Sequence, residues 1–237
     1  MRLSDRFKFV FVSNPRCAST SVRRMLDPFS DIRSDKSSNA RWTERLLGAL
    51  NPFSEIMSGP STNAQWAVRN HASARQIEQG MLKTGRDPDN YVFFTTIRNP
   101  WARTFSAYKF GLKNPNSTWH MPAVSEGCVD GFVRHPHVIR QLRKHALDQM
   151  STPRVRIFPI ETSMGSLLEL VSLLVGKRLK LPYLNETEKN DYTEAFNDPR
   201  SISMIAEIFA SDIASAGYKY PSKSGQAESA RREQTAT

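Results

Sequence analysis

A β-prone run that turns directly into a helix start is the feature that most constrains this chain. The run YVFFTTI (91–97) is the strongest strand signal in the sequence, and Arg98, Asn99 and Pro100 follow it at once. Asparagine is a favoured N-cap residue and proline a favoured first helical residue. The sequence therefore predicts a strand that ends at about residue 97 and a helix that begins at Pro100.

The same strand-then-helix pattern occurs twice more along the chain. FKFVFVS (7–13) precedes apolar residues at helical spacing over 22–29, and RVRIFPI (154–160) precedes a helical pattern over 167–175. Further helices are predicted over 42–50, 72–82, 134–145 and 199–213. Strands that alternate with helices indicate an α/β fold with a central, mainly parallel sheet flanked by helices. Ligands in such folds bind at the carboxyl ends of the strands.

Composition bounds the domain count and the partners. The 237 residues suit a single domain over 1–220, with a polar surface excursion over 30–64 and a tail over 221–237 that we expect to be disordered. The formal net charge of +10 favours an anionic partner, although a basic tail and solubility would also account for it. The two cysteines do not form a disulfide framework, and no Cys/His cluster has zinc-ligand spacing. No stretch is long enough for a membrane helix, so we expect a cytoplasmic protein.

The turn after the first predicted strand has the chemistry of an anion-binding loop. Ser19, Thr20 and Ser21 place hydroxyls at the start of a helix, where free backbone N–H groups attract phosphate or sulfate oxygens. Arg16 adds a permanent positive charge. The alternative is an ordinary capped helix with Arg16 pointing into water, and the turn by itself does not decide between the two.

The turn after the strongest strand adds a second anion site to the prediction. Ser106 lies seven residues beyond Asn99, which returns it to nearly the same helix face, and Arg103 shares that polar face. Arg98 at the strand end and Ser106 can hold one phosphate between them. Alternatively, Ser106 is a small surface residue and Arg98 an ion-pair partner. Together, the two turns indicate a ligand with two separated phosphate-like groups.

These motifs resemble those of the sulfotransferases that use 3′-phosphoadenosine 5′-phosphosulfate (PAPS), especially the carbohydrate-type branch that includes sulfotransferase family 2. SNPRCASTSV is similar to their 5′-phosphosulfate loop, and TIRNPWARTFSAYKF to their 3′-phosphate element, R-N-P-x-x-R-x-x-S-x-Y. RNHASARQIEQ resembles a histidine-containing segment of the family. FPIETSMGSL and the stretch from LPYLNET to ASAGY resemble later segments. The resemblance covers most of residues 7–220, with the segments in the family's order.

The resemblance implies a P-loop-like, three-layer α/β/α fold, and PAPS as the cofactor without a metal. The implied reaction transfers sulfonate to a hydroxyl or amine of an acceptor, a carbohydrate or glycoconjugate, and no nucleic-acid partner is expected. Arg16 takes the place of the loop lysine beside the phosphosulfate. The implied cofactor-binding residues are Arg16, Cys17, Ala18, Ser19, Thr20, Ser21, Arg98 and Ser106.

Two departures from the family pattern bear on activity. Arg16 can stabilise a leaving phosphate but cannot donate a proton to it. Ser19 replaces a loop glycine, which would be strained if that position required a positive φ. Cys17 is expected to pack within the loop, although a thiol at a helix N-terminus can have a lowered pKa.

His71 is the candidate general base, because it is the histidine of the matching segment and titrates near neutrality. It could instead cap the helix over 72–82 or order a loop. Glu161 ends a strand and is a candidate for either a catalytic or a structural role. The basic helix over 134–145 either receives an acidic or carbohydrate acceptor or is a solvated face.

Two other classes of function are alternatives to sulfonate transfer. A non-catalytic phosphonucleotide or nucleic-acid binder agrees with the positive charge and with the departures at Arg16 and Ser19. A nucleotide kinase is disfavoured because the Gly-Lys-[ST] signature is missing from the sequence.

Overall fold

The computed structural model of the protein describes residues 1–33, 71–182 and 192–221. The helix expected over 42–50, most of the excursion over 30–64 and nearly all of the tail over 221–237 lie outside the described residues. The chain divides into two units. The first spans Met1–Thr96, Met150–Phe158 and Met164–Pro182, and the second spans Ile97–Gln149, Pro159–Ser163 and Tyr183–Thr237.

A five-stranded mixed sheet with the order β3-β1-β2-β4-β5 forms the centre of the first unit. Its strands are β1 (Arg2–Ser4), β2 (Phe9–Val12), β3 (Ile32–Arg33), β4 (Val92–Ile97) and β5 (Val155–Pro159). Strand β2 pairs parallel with β4, whereas β1 pairs antiparallel with both β2 and β3. The expectation of an α/β fold is confirmed, and so are the three predicted strands. The sheet is mixed rather than mainly parallel, because β1 pairs antiparallel with both of its neighbours. The sequence did not predict these pairings, because β1 and β3 are too short to show a pattern.

The described residues contain the helices α1 (Ser19–Leu26), α2 (Ala74–Lys83), α3 (Pro100–Lys113), α4 (His120–Glu126), α5 (Val129–Arg134), α6 (Pro136–Lys144), α7 (Leu147–Met150), α8 (Met164–Val175), α9 (Pro199–Ile208) and α10 (Ala210–Ala216). The helix predicted over 199–213 is therefore two helices, with Phe209 between α9 and α10 and Gly217 in a left-handed conformation at the end of α10. Within the described residues, no helix combines the length and apolar character that a membrane span requires.

Side-chain alternation along β2 gives the sheet two apolar faces, because successive strand residues point to opposite sides. Phe9 and Phe11 pack with α1 and α8 through residues such as Val22 and Leu167. Val10 and Val12 belong to a separate cluster that includes Ala74, Ile77 and Met81 of α2. Helices thus cover both faces of the sheet, which accounts for four fully buried residues in a row along β2.

The second unit is mainly helical and has its own apolar core. Trp101, Phe132 and Phe209 are buried together with residues of α3, α5, α6 and α9. The predicted start of α3 is confirmed, because the Asn99 side chain accepts hydrogen bonds from the backbone N–H groups of Trp101 and Ala102. This cap fixes the start of α3 two residues after Arg98.

Candidate functional site

The turn between β2 and α1 uses two left-handed residues that are not glycine. Arg16 has φ 63° and Ala18 has φ 55°, and Ser19 is the first residue of α1. A left-handed conformation costs an L-residue about 1–2 kcal/mol. Ser19 is not among the residues with positive φ, so its replacement of the family's glycine introduces no such strain there.

Buried hydrogen bonds hold this strained turn in place. The Ser19 hydroxyl donates to the carbonyl of Asn14 in a short bond. Thr96 of β4 donates from Oγ1 to the carbonyl of Cys17 at 2.5 Å, and the Cys17 thiol donates to the carbonyl of Pro15 at 3.4 Å. Cys17 is completely buried, as a packing residue of the loop would be. The neighbouring strand therefore determines the path of the turn.

The start of α1 leaves polar groups available for an anion. The N-cap residue Ala18 provides no side-chain cap, and the first turn of α1 contains no acidic residue. The first N–H groups of a helix need partners, and such groups attract anions. Ser13, just before the turn, is fully buried, and its Oγ has no hydrogen-bond partner among the described residues. A buried hydroxyl without a partner is costly unless a ligand or water satisfies it.

His71 lies against the same turn. Its Nδ1 is 3.0 Å from the carbonyl oxygen of Ser13. A carbonyl oxygen only accepts, so Nδ1 carries a proton, and in the neutral form of the ring the lone pair is on Nε2. The cap of α2 is Ser73, which forms a capping box with Gln76. His71 therefore does not cap α2, and it contacts the turn that contains Arg16.

Arg98 belongs to the second unit. It follows the last residue of β4 and comes immediately before Asn99, the N-cap of α3. The side chain is half-buried, and no hydrogen bond or ion pair of Arg98 occurs among the described residues. Its neighbour Asn99 is held in place from outside α3, because the Asn99 N–H donates to Oε1 of Glu161 at 2.8 Å. Oε2 of Glu161 accepts from the Tyr218 hydroxyl at 2.8 Å. Glu161 thus has a structural role beside Arg98.

The face of α3 that carries Ser106 is not solvated. Ser106 and Arg103 are 1% and 2% exposed, so the polar face predicted for them is buried in the second unit. The reason is that partners distant in sequence satisfy Arg103. It lies 3.5 Å from Oδ1 of Asp212 and donates to the carbonyl of His145 at 3.0 Å.

Asp212 is the buried acid of this arrangement. Burial raises the pKa of the Asp212 carboxyl, and the Arg103 guanidinium and the N–H of Leu147 counteract that effect. The Leu147 N–H donates to Oδ2 at 2.8 Å. Arg103 therefore connects α3 to α10 and to the C-cap of α6, and Asp212 connects α10 to the start of α7. The sequence spacing within α3 had indicated only that Arg103 shares a face with Ser106.

Of the remaining histidines, His137 has a buried Nε2 without a hydrogen-bond partner among the described residues, and the other three are held by structural contacts or burial. Nδ1 of His120 is 2.9 Å from the carbonyl of Gly111, and Nδ1 of His135 accepts from the backbone N–H of His137 at 3.2 Å. His145 is buried at the C-cap of α6. In the described ranges, no group of three or more His, Cys, Asp or Glu side chains is arranged to hold a metal ion.

The predicted residues thus fall into two sets. The turn from Arg16 to Ser21 and His71 lie together in the first unit, and Arg98 and Ser106 lie in the second. The sequence did not single out Ser13 or Tyr218, and nothing in their spacing would have done so. Comparisons of the chain with models of protein families, with curated proteins and with solved structures gave no match.

Proposed function

We propose that this chain is a sulfotransferase that moves a sulfonate group from PAPS to a hydroxyl or amine of a carbohydrate or glycoconjugate acceptor. The observation that carries the proposal is the hydrogen bond between His71 Nδ1 and the carbonyl of Ser13, at 3.0 Å. It joins a histidine with a basic Nε2 to an arginine-containing turn at a helix N-terminus. A general base beside an anion-binding loop is the minimum that such a transfer requires.

The residues of the turn fit a phosphosulfate group. The buried Ser13 hydroxyl has no partner among the described residues, and the start of α1 has no side-chain cap and no carboxylate in its first turn. We therefore assign Arg16 through Ser21 to the sulfonate end of the cofactor. The left-handed residues Arg16 and Ala18 keep the turn open toward this ligand, and the bond from Thr96 to Cys17 keeps it rigid.

Arg16 supplies positive charge to the leaving group. The second pKa of a phosphate monoester is about 6, so the leaving phosphate is an anion at neutral pH. It therefore needs stabilisation by positive charge rather than a proton. An arginine can therefore replace a lysine in this role. Its guanidinium stays protonated and offers two parallel donors.

His71 accepts the proton of the acceptor. When bound, the cofactor supplies a sulfonate whose S–O bond to the 5′-phosphate breaks as the acceptor oxygen or nitrogen bonds to sulfur, which leaves 3′-phosphoadenosine 5′-phosphate (PAP). The Ser13 carbonyl keeps the proton of the free imidazole on Nδ1, so Nε2 takes up the acceptor's proton. The resulting imidazolium is stabilised because Nδ1–H still donates to that carbonyl.

Arg98 and Ser106 are assigned to the 3′-phosphate, on the basis of the R-N-P-x-x-R-x-x-S spacing in the sequence. Arg98 has no ion pair among the described residues, which leaves its charge available for an anion. Glu161 holds the backbone next to Arg98 through the Asn99 N–H. A P-loop-like arrangement of the sheet belongs to this proposal, and the cytoplasmic location predicted from the sequence stays a prediction.

The experiment that tests this function compares His71→Ala with the unaltered chain in two assays. Affinity for PAP is measured by calorimetry, and transfer of labelled sulfonate from PAPS is measured with a mixture of carbohydrate acceptors. We expect unchanged PAP affinity and a loss of transfer by about 100-fold or more, which is the contribution of a general base. Retained transfer would remove His71 as the base. PAP binding without transfer by the unaltered chain would favour a non-catalytic phosphonucleotide binder.

A further inference from the structure

A groove of about 500 Å³ lies in the second unit, and none of the residues assigned above is among the residues that line it. It is lined by α6 and the segment that follows it on one side and by the end of α9 on the other. The residues that matter for its chemistry are Arg140, Arg143, Lys144, Asp148, Glu207 and Ile208. Its volume is within the range of sites that take small ligands, about 300–1,000 Å³.

Three cations of the groove share one face of α6. Arg140, Arg143 and Lys144 stand at i, i+3 and i+4, which places them side by side on a helix. The opposite face carries Val138 and Leu142 into the apolar core. All three side chains are exposed and line the groove, so it carries a cluster of positive charge.

None of these three cations forms an ion pair with a carboxylate of the described residues, although Asp148 and Glu207 line the same groove. Elsewhere in the second unit, Arg103 pairs with Asp212 and Arg134 pairs with Asp198. Among the described residues, by contrast, no ion pair involves Arg140, Arg143 or Lys144. Like charges at these spacings repel one another, and the carbonyl ends of α6 offset only part of that repulsion. An anionic ligand would relieve it.

The groove also contains hydrogen-bond acceptors and an apolar surface. Asp148 and Glu207 are exposed carboxylates on its wall, and Ile208, although mostly buried in the core, contributes a small apolar area. Carboxylates repel phosphate and sulfate groups but accept hydrogen bonds from hydroxyls. The complementary ligand therefore has anionic groups, hydroxyl groups and an apolar C–H surface in the same molecule.

We propose that this groove binds an acidic oligosaccharide, with its sulfate or carboxylate groups on the cations of α6 and its hydroxyls on Asp148 and Glu207. A nucleic acid fits less well, because the described residues that line the groove include no aromatic side chain to stack on a base. The inference concerns binding alone. It holds whether or not the chain transfers sulfonate, and its test uses no turnover assay.

The test titrates the full chain with a sulfated heparin hexasaccharide, with its desulfated counterpart, and with a single-stranded DNA oligomer of equal charge. We expect the sulfated sugar to bind more tightly than either of the others. The variant Arg140→Ala/Arg143→Ala/Lys144→Ala should weaken binding of the sulfated sugar by about tenfold or more, because it removes three charge-assisted contacts. Equal or tighter binding of the DNA oligomer would overturn the carbohydrate assignment.

A matched control is available in the first unit. Lys177, Arg178 and Lys180 are exposed and have no ion pair among the described residues, so replacing all three with alanine removes the same formal charge. This control should change the affinity by less than about twofold, since these cations do not line the groove and exposed charges without direct contact to a ligand are screened by salt. If both triple variants lose affinity equally, the binding follows net charge and the groove is not the site.

The single substitution Glu207→Ala separates specific from diffuse binding. It makes the chain more positive, so general attraction to an anion predicts tighter binding. Our inference predicts weaker binding, by about threefold or more, because a hydrogen bond from a sugar hydroxyl is lost. Tighter binding by this variant would overturn the inference. The substitution is at an exposed position, and near-UV circular dichroism checks that the fold is kept.

Discussion

Ala18 is the position where a single substitution tests the geometry of the phosphosulfate turn. It has φ 55° and serves as the N-cap of α1 without offering a side-chain hydrogen bond. Its Cβ is the cause of the strain, because only glycine adopts this conformation freely. We expect Ala18→Gly to keep the chain folded and to leave its free energy of unfolding unchanged or raise it.

The magnitude of this effect is the balance of three contributions. Removing the Cβ relieves about 1–2 kcal/mol of left-handed strain. The greater freedom of glycine in the unfolded chain costs about 0.4–1 kcal/mol. Loss of a half-buried methyl group costs roughly 0.4 kcal/mol, half the value for a fully buried one. The net result is a gain in stability of about 0–1 kcal/mol.

Ala74→Gly is the matched control, because Ala74 lies in the same unit but in the right-handed backbone of α2. There the same substitution relieves no strain and removes a fully buried methyl, so we expect a loss of about 1 kcal/mol or more. Urea denaturation measures both variants, with unchanged m-values as the check that only the native state is affected. If Ala18→Gly loses as much stability as Ala74→Gly, the left-handed turn is wrong.

Two further predictions concern the carboxylates that hold loops in place. The hydrogen bonds from Arg86 lower the pKa of Asp5, so its stabilising effect is present above the unfolded pKa of about 3.9 and is lost as the pH falls through the lowered folded value. Asp5→Asn should therefore destabilise by about 1 kcal/mol at pH 7 and by less at pH 2. An equal loss at both pH values in urea melts would contradict the pairing. Glu161→Ala should lower the free energy of unfolding by about 1–2 kcal/mol, because the Asn99 N–H and the Tyr218 hydroxyl lose their acceptor. Glu161→Gln should retain most of that stability, because the amide oxygen can still accept a hydrogen bond. A loss as large as that of the alanine variant would show that the negative charge, and not the hydrogen-bond acceptor, stabilises the fold.

Local signals in the sequence predicted the parts of the fold that local chemistry determines. The cap at Asn99 and the helix start at Pro100 are properties of a few neighbouring residues, and both are present. The short strands β1 and β3 carry too few residues for a pattern, and their pairings made the sheet mixed.

Contacts between residues far apart in the chain explain what the sequence did not predict about the candidate site. Arg103 meets Asp212 across 109 positions and Asn99 meets Glu161 across 62. Helical or strand periodicity relates only neighbouring residues, so it cannot predict contacts across such sequence separations. The left-handed conformation of Arg16 was equally out of reach, because its residue type disfavours positive φ and only the surrounding packing imposes it.

The most direct test of the central claim is a calorimetric titration with PAP, with 5′-AMP as the comparison ligand and Arg98→Ala as the variant. The account predicts that PAP binds at least about tenfold more tightly than 5′-AMP, since one additional charge-assisted phosphate contact is worth that much. It predicts that Arg98→Ala abolishes this preference, whereas the control Arg178→Ala keeps it. Equal affinity for both nucleotides, or binding of neither, would contradict the assignment of this chain to PAPS-dependent transfer.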